Sequence, residues 1–198
     1  TLGVCIAPDG NSQAQFEFMR NTAKEWADNI CTGHLPRHLA WESMRSTILR
    51  TLDFPLPVTT LSPLQCAAIM SPITQAGLPA AGIARTMPSD VVFGSVGSQG
   101  LGLPDLYEEQ EISHISKMVQ YGGTPTITGQ LLQCCFEQHK LEVEMAGNLL
   151  CLPFNIFGRL STQSWVKDTW AFAWKHQLEI WDNCKEFALA QKGDDFLI

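Results

Sequence analysis

A mainly α-helical fold, with a short N-terminal β-strand and a long Gly/Pro-rich loop leading to a second helical group, is predicted for this 198-residue chain. Three observations carry that expectation. Apolar residues recur every three or four positions through most of the chain, the period of a one-sided helix. β-Branched residues open the chain and recur at Val91–Phe93, while glycine and proline crowd the stretch from Gly77 to Pro104. With 45% apolar residues, there is enough hydrophobic side chain for a core of ordinary domain size.

Residues 1–6 are short and apolar and run into the turn cluster Pro8-Asp9-Gly10-Asn11, so they read as an edge strand whose sheet lies upstream of a cut N-terminus. An unpaired apolar edge of that kind favours self-association. From Gln13 to Cys31, Phe16, Met19, Ala23, Trp26 and Ile30 fall on one helical stripe, with Gly33 expected to stop the helix. Pro36 sits where a first helical turn tolerates it, and a second helix is expected to about Leu52 with Trp41, Met44, Ile48 and Leu52 inward. Arg37, Arg45 and Arg50 lie off that stripe. Ser62-Pro63 reads as an N-cap followed by proline at the first helical position, opening a third helix through Cys66, Ile69, Met70 and Ile73 that Pro72 is expected to kink or end.

The stretch from Gly77 to Pro104 reads as a structured loop with one short strand at Val91–Phe93. Asp105 is expected to open a helix to Tyr121 with Leu106, Ile112, Ile115 and Val119 inward. Thr128 then caps a helix through Leu132, Phe136 and Leu141 to about Met145, and residues 146–161 read as irregular. A last helical region spans Gln163 to about Gln191, where Trp170, Trp174, Leu178 and Trp181 repeat at helical spacing; such a stripe either packs a core or stacks on nucleobases. The expected organisation is therefore residues 1–76 as strand and first helices, 77–104 as a Gly/Pro-rich connector, and 105–198 as a C-terminal helical subdomain.

Thirteen Lys and Arg against twenty Asp and Glu leave a net charge of −7, which excludes a globally basic coat and confines any polyanion site to a patch. Residues 1–100 carry −1 and residues 101–198 carry −6, so the first two helices hold the candidate polyanion face. No apolar run approaches the roughly 18 residues of a bilayer span and no secretory leader is visible. The expected protein is soluble and intracellular, in cytoplasm or nucleus, with no membrane partner. Seven cysteines without CxxC spacing read as reduced, mostly buried thiols.

Few motifs carry chemistry. Cys31, His34 and His38 have zinc-compatible donors, but Gly33 and Pro36 break any common face and no fourth ligand is near, so a helix junction is the expectation. Asp194-Asp195 resembles a magnesium-holding pair but lacks the apolar hairpin and third carboxylate that such sites need. Cys134-Cys135 sits inside a helical pattern, where redox chemistry requires an activated thiolate. There is no nucleophile elbow, Walker A loop, dinucleotide fingerprint or zincin motif.

Taken in order, these segments resemble the region downstream of the catalytic palm in reverse transcriptases of non-LTR retrotransposons and their relatives. Thr1-Leu2-Gly3-Val4 looks like the "YLGV" strand of the primer grip, with Thr where an aromatic is common. The helix ending Trp26-Ala27-Asp28-Asn29-Ile30, then Gly33-His34-Leu35 and the helix from Arg37 to Leu52, is similar to the thumb, which makes the first helices a thumb-like bundle. The stretch from Gln99 to Leu106 matches "GGLGLPDL" with Gln99 in place of the first glycine, and Gly193 to Ile198 looks like "G-D-x-F-[IL]". The resemblance covers essentially the whole chain.

It implies a fragment without catalytic aspartates, with magnesium and polymerase chemistry belonging to an upstream palm partner and no cofactor in this chain. What it leaves here is the positioning of an RNA or DNA primer–template duplex by the first two helices, with Leu2 and Gly3 near the primer terminus. Lys24, Arg37, Arg45 and Arg50 are the expected phosphate contacts. Four cations on four phosphates set a salt slope of about −3.6 in log K against log salt. The competing expectation is a helical interaction module or degenerate retroelement remnant without nucleic-acid activity.

Overall fold

Leu61 follows the helical hairpin that opens the chain, and its backbone N–H and C=O are both buried; how they are satisfied shapes the first half of the molecule. In a computed structural model that describes residues 3–7 and 10–180, the elements follow one another as helices, and no strand forms among the described residues. Two compact units partition the chain, Thr1–Ser113 and His114–Ile198, so the 77–104 stretch belongs with the first helices and the boundary falls inside a helix at Ser113/His114.

The expected N-terminal strand is absent from residues 3–7, and with it the edge on which self-association was expected. The Cys5 N–H has no sheet partner and donates instead to the Gln15 side chain, 2.7 Å away. The first helix, α1 (Gln13–Gly33), buries Met19, Ala23, Ala27 and Ile30, with Phe16 and Trp26 packed against the same core. Gly33 is its last residue rather than its stop. The left-handed position falls one residue later, at His34 (φ 48°), whose ring Nδ1 meets the Thr32 carbonyl at 2.7 Å and holds the turn without a glycine.

The expected second helix is helical throughout but not uniform: α2 (Arg37–Ser43) passes through a π-turn, Met44–Ile48, into α3 (Leu49–Asp53). The wider turn rotates the inner face, so the adjacent residues Ile48 and Leu49 are both buried, together with Met44 and Leu52. Helix α4 (Pro63–Ala80) starts on the expected cap, in which Ser62 Oγ accepts the Gln65 N–H and Gln65 Oε1 accepts the Ser62 N–H. Pro72 does not end it. The helix continues through Pro72 and Pro79 because burial of Cys66, Ile69, Ile73 and Leu78 outweighs the two forfeited backbone bonds. Gly77 makes the close packing possible: a Cβ there meets Met44 Sδ at 2.7 Å and the Trp26 ring at 3.1 Å.

Val91–Phe93, expected as a strand, lies in a short helix, α5 (Ser89–Phe93), because the Pro88 carbonyl collects both the Val91 and Val92 N–H groups and no neighbouring strand competes for them. The chain then doubles back, and the N–H groups of Leu101, Gly102 and Leu103 bond to the carbonyls of Val91, Gly94 and Val92. Those bonds satisfy carbonyls that a helix end leaves open. Gln99 takes a left-handed φ of 64°.

Helix α6 (Leu106–Tyr121) is capped by Asp105, whose carboxylate accepts the Tyr107 and Glu108 N–H groups. Its inner face is not the expected one: Ile112 and Val119 are 50% and 66% exposed, whereas Leu106, Gln110, Glu111, His114 and Met118 are buried. Gln110 selects that face. Its Oε1 accepts the Leu61 N–H at 2.8 Å and its Nε2 donates to the Leu61 carbonyl at 3.0 Å and to Glu111 at 3.1 Å. Both buried backbone groups are satisfied by one amide.

In the second unit, α7 (Ile127–Val143) is capped by Thr126 rather than Thr128 and turns Leu132, Phe136 and Val143 inward, leaving Leu141 exposed. Residues 146–161 contain a helical turn, α8 (Phe154–Phe157), flanked by two 3₁₀ turns. The last described helix, α9 (Trp165–Lys175), stops well short of Gln191, and Trp181 lies outside the described residues. Trp170 is core, fully buried, edge-on to Phe154 at 5.1 Å and donating its indole N–H to the Leu152 carbonyl, while Trp174 is 44% exposed. No described helix is long and apolar enough to cross a membrane.

Replacing Gln110 with Leu keeps the volume but leaves the Leu61 N–H and C=O buried without partners, a loss of about 2–4 kcal/mol. A urea midpoint unchanged from wild type would remove this clasp from the determinants of the fold.

Candidate functional site

Arg45 in the π-turn and Arg50 on α3 line an open cleft of about 640 Å³ in the first unit. They are not alone there. Its walls carry five carboxylates, Glu42, Asp53, Asp105, Glu108 and Glu109, against two guanidinium groups. Arg50 lies 3.9 Å from Asp53 with both side chains largely in solvent, a pair that contributes little. The Glu109 carboxyl is pushed above its ordinary range by burial and then by repulsion from Asp53, with Arg50 pulling the other way. A cleft so lined attracts a phosphate far less than its arginines alone imply.

The remaining expected contacts are dispersed. Lys24 is exposed on α1, and Arg37, the first residue of α2, is also exposed while its Cδ, Nε and Cζ atoms run past Gly82. Gly3 (φ 73°) borders a smaller apolar cavity of about 290 Å³ with Gln15, Phe18 and Phe54. Leu2 lies outside the described residues, as do Asp194-Asp195. Among the described residues no three His, Cys, Asp or Glu side chains gather as a metal group.

The described cysteines form no disulfide. They are also less buried than expected: Cys66 is the buried one, with its thiol pushed up to about 12 by burial, while Cys5, Cys31, Cys134 and Cys151 are exposed.

The second unit holds a polar cluster that the sequence reading does not single out. His139, 3% exposed on α7, places Nε2 at 2.7 Å from Ser164 Oγ and Nδ1 at 2.6 Å from Ser161 Oγ and 3.1 Å from Glu142 Oε2. The order Ser164, His139, Glu142 has the connectivity of a nucleophile, base and carboxylate. Here it closes a loop instead, since His139 is buried and Ser164 Oγ already accepts the Lys167 N–H as the cap of α9. Glu142 receives the Thr162 N–H and hydroxyl, each at 2.8 Å, tying α7 to the residues before α9. The available signal was the pair of Ser/Thr residues just ahead of a helix start, but its histidine partner lies more than twenty positions away.

The chain matches no protein-family model, no curated protein and no solved structure.

Burial acts to raise the Glu142 pKa but is outweighed by the hydrogen bonds from Thr162, Gln138 and His139, which hold it at about 2 against an ordinary 4.5. A folded-state pKa below the unfolded one adds stability above about pH 4.5 that is lost as pH falls toward 2. Glu142→Gln should therefore lower stability at neutral pH by about 1–2 kcal/mol and flatten the acid limb of the stability curve. Parallel acid limbs for variant and wild type contradict this assignment.

Proposed function

We propose that the first unit is a non-catalytic holding segment that positions a primer–template duplex for a polymerase active site supplied by a palm domain. The reading is supported by the order of the family-like segments together with one structural observation: all four expected cations, Lys24, Arg37, Arg45 and Arg50, are solvent-exposed on the first helices.

The carboxylates of the cleft refine the footprint. Arg45 and Arg50 face Glu42, Asp53, Glu108 and Glu109, so Lys24 and Arg37 carry most of the phosphate contact. Two effective cations give a slope of about −1.8 and four about −3.6. Duplex binding by the full chain should fall between these limits and nearer the first. Lys24→Ala and Arg37→Ala should each flatten the slope by about 0.9, Arg45→Ala much less. Glu108→Gln with Glu109→Gln should steepen it. Fluorescence anisotropy with an RNA–DNA duplex across a salt series reads all of these; no binding at low salt, or a slope indifferent to Lys24 and Arg37, overturns the proposal.

The acid-lined cleft favours a second reading, a helical interaction module or retroelement remnant without nucleic-acid activity. It is distinguished by the same titration, since it requires that no duplex binds.

A further inference from the structure

The smaller cavity of the first unit, about 290 Å³, is lined by Phe18 and Met19 from α1 and by Leu52 and Phe54 from the end of α3, and none of its lining residues is charged. Phe18 and Phe54 leave 52% and 64% of their surface in water. Gln15 also borders the cavity and is wholly buried. The orientation of its amide is fixed, because the side chain accepts the Cys5 N–H at 2.7 Å and only its oxygen can do so. That leaves Nε2 shut away from water without a hydrogen-bond partner. Gln110, equally buried in the same unit, uses both ends of its amide. A buried donor left open lowers stability, and an arriving acceptor recovers the loss.

We propose that this cavity binds a small uncharged molecule with an apolar body and one carbonyl or ether oxygen, and that the oxygen accepts the hydrogen bond of Gln15 Nε2. The lining selects against an ionic ligand, which would give up its hydration and find no opposite charge. Size follows from volume: an apolar cavity of about 150 Å³ takes one benzene ring, so this one takes a molecule of about a dozen non-hydrogen atoms. The two hydroxyls in the wall do not compete for the oxygen, because Thr22 donates to the Phe18 carbonyl and Thr51 to the Thr47 carbonyl. Gln15 therefore fixes where the oxygen goes, and the apolar wall takes the rest. None of Lys24, Arg37, Arg45 and Arg50 lines the cavity, so the inference is independent of the duplex-holding reading.

Two probes of one shape separate the donor from the apolar wall: α-tetralone, and its analogue with an exocyclic methylene in place of the ketone oxygen. Titrated into the full chain and followed by calorimetry, the ketone should bind about tenfold more tightly than the hydrocarbon, the effect of one buried hydrogen bond. In spectra of protein carrying isotope-labelled glutamine, one side-chain amide, assigned by its loss in Gln15→Met, should move downfield with the ketone and not with the hydrocarbon. Gln15→Met should bring the two affinities together. Thr22→Phe keeps Gln15 and fills the cavity, so it should weaken both probes at least tenfold, with circular dichroism checking that the helices of each variant remain. Equal affinities in the wild-type chain, a ketone preference that survives Gln15→Met, or binding indifferent to Thr22→Phe overturns the inference. So does a chain that takes up neither probe, including the case in which residues ahead of Gly3 fill the cavity, read as nuclear Overhauser contacts to Phe18 and Phe54.

Discussion

A buried amide N–H and a buried carbonyl each demand a partner, and at Leu61 one side chain, Gln110, supplies both. The consequence reaches beyond that contact. Because Gln110 must point inward, the residues beside it on α6 take the positions that remain: Glu111 goes inside, Glu108 and Glu109 face the cleft, and Ile112 is left in water. A polar requirement therefore overrides the hydrophobic period that otherwise places helix faces in this chain. It also sets the electrostatics of the cleft, since the carboxylates opposite Arg45 and Arg50 come mainly from α6 and its cap.

The cleft and the dispersed cations together make a surface of mixed sign. Attraction between a guanidinium and a phosphate is long-ranged only where no nearer carboxylate competes. Arg45 and Arg50 have such competitors within their own cleft, and Arg37 and Lys24 lie away from it. On the proposed reading, such a surface holds a duplex weakly and in a salt-sensitive way. The polar cluster of His139, Ser164 and Glu142 belongs to a different category: its hydrogen bonds are satisfied internally, so it stiffens the second unit rather than reacting.

Much of the helical layout was legible because it rests on local rules. The Ser62 cap, the start of α6 after Asp105 and the inward stripe of α1 follow from side-chain chemistry within a turn or two. Several misreadings share a cause, namely a long-range partner, present or missing, that local pattern cannot show. Val91–Phe93 has strand-like residues, but a strand needs a neighbour and Pro88 offers a helical turn instead. Pro72 breaks an isolated helix, yet α4 is held by the core on the far side. The outward face of α6 turned on Leu61, nearly fifty residues away. In the cleft, the arginines were visible as charges off the apolar stripe, while three of the five acids that temper them come from α6 and its cap, distant in sequence.

Gln99 shows a side chain held where glycine is the easier choice. Its left-handed backbone is a conformation that glycine adopts freely and that a side chain strains, yet the turn closes, with the Gln99 N–H bonded to the Val96 carbonyl and the Gly100 N–H to that of Ser95. The neighbouring loop bonds over-determine the geometry, so the residue is compelled rather than chosen. A left-handed corner of this kind therefore does not oblige the chain to place glycine there, provided that the bonds on either side hold the backbone in shape.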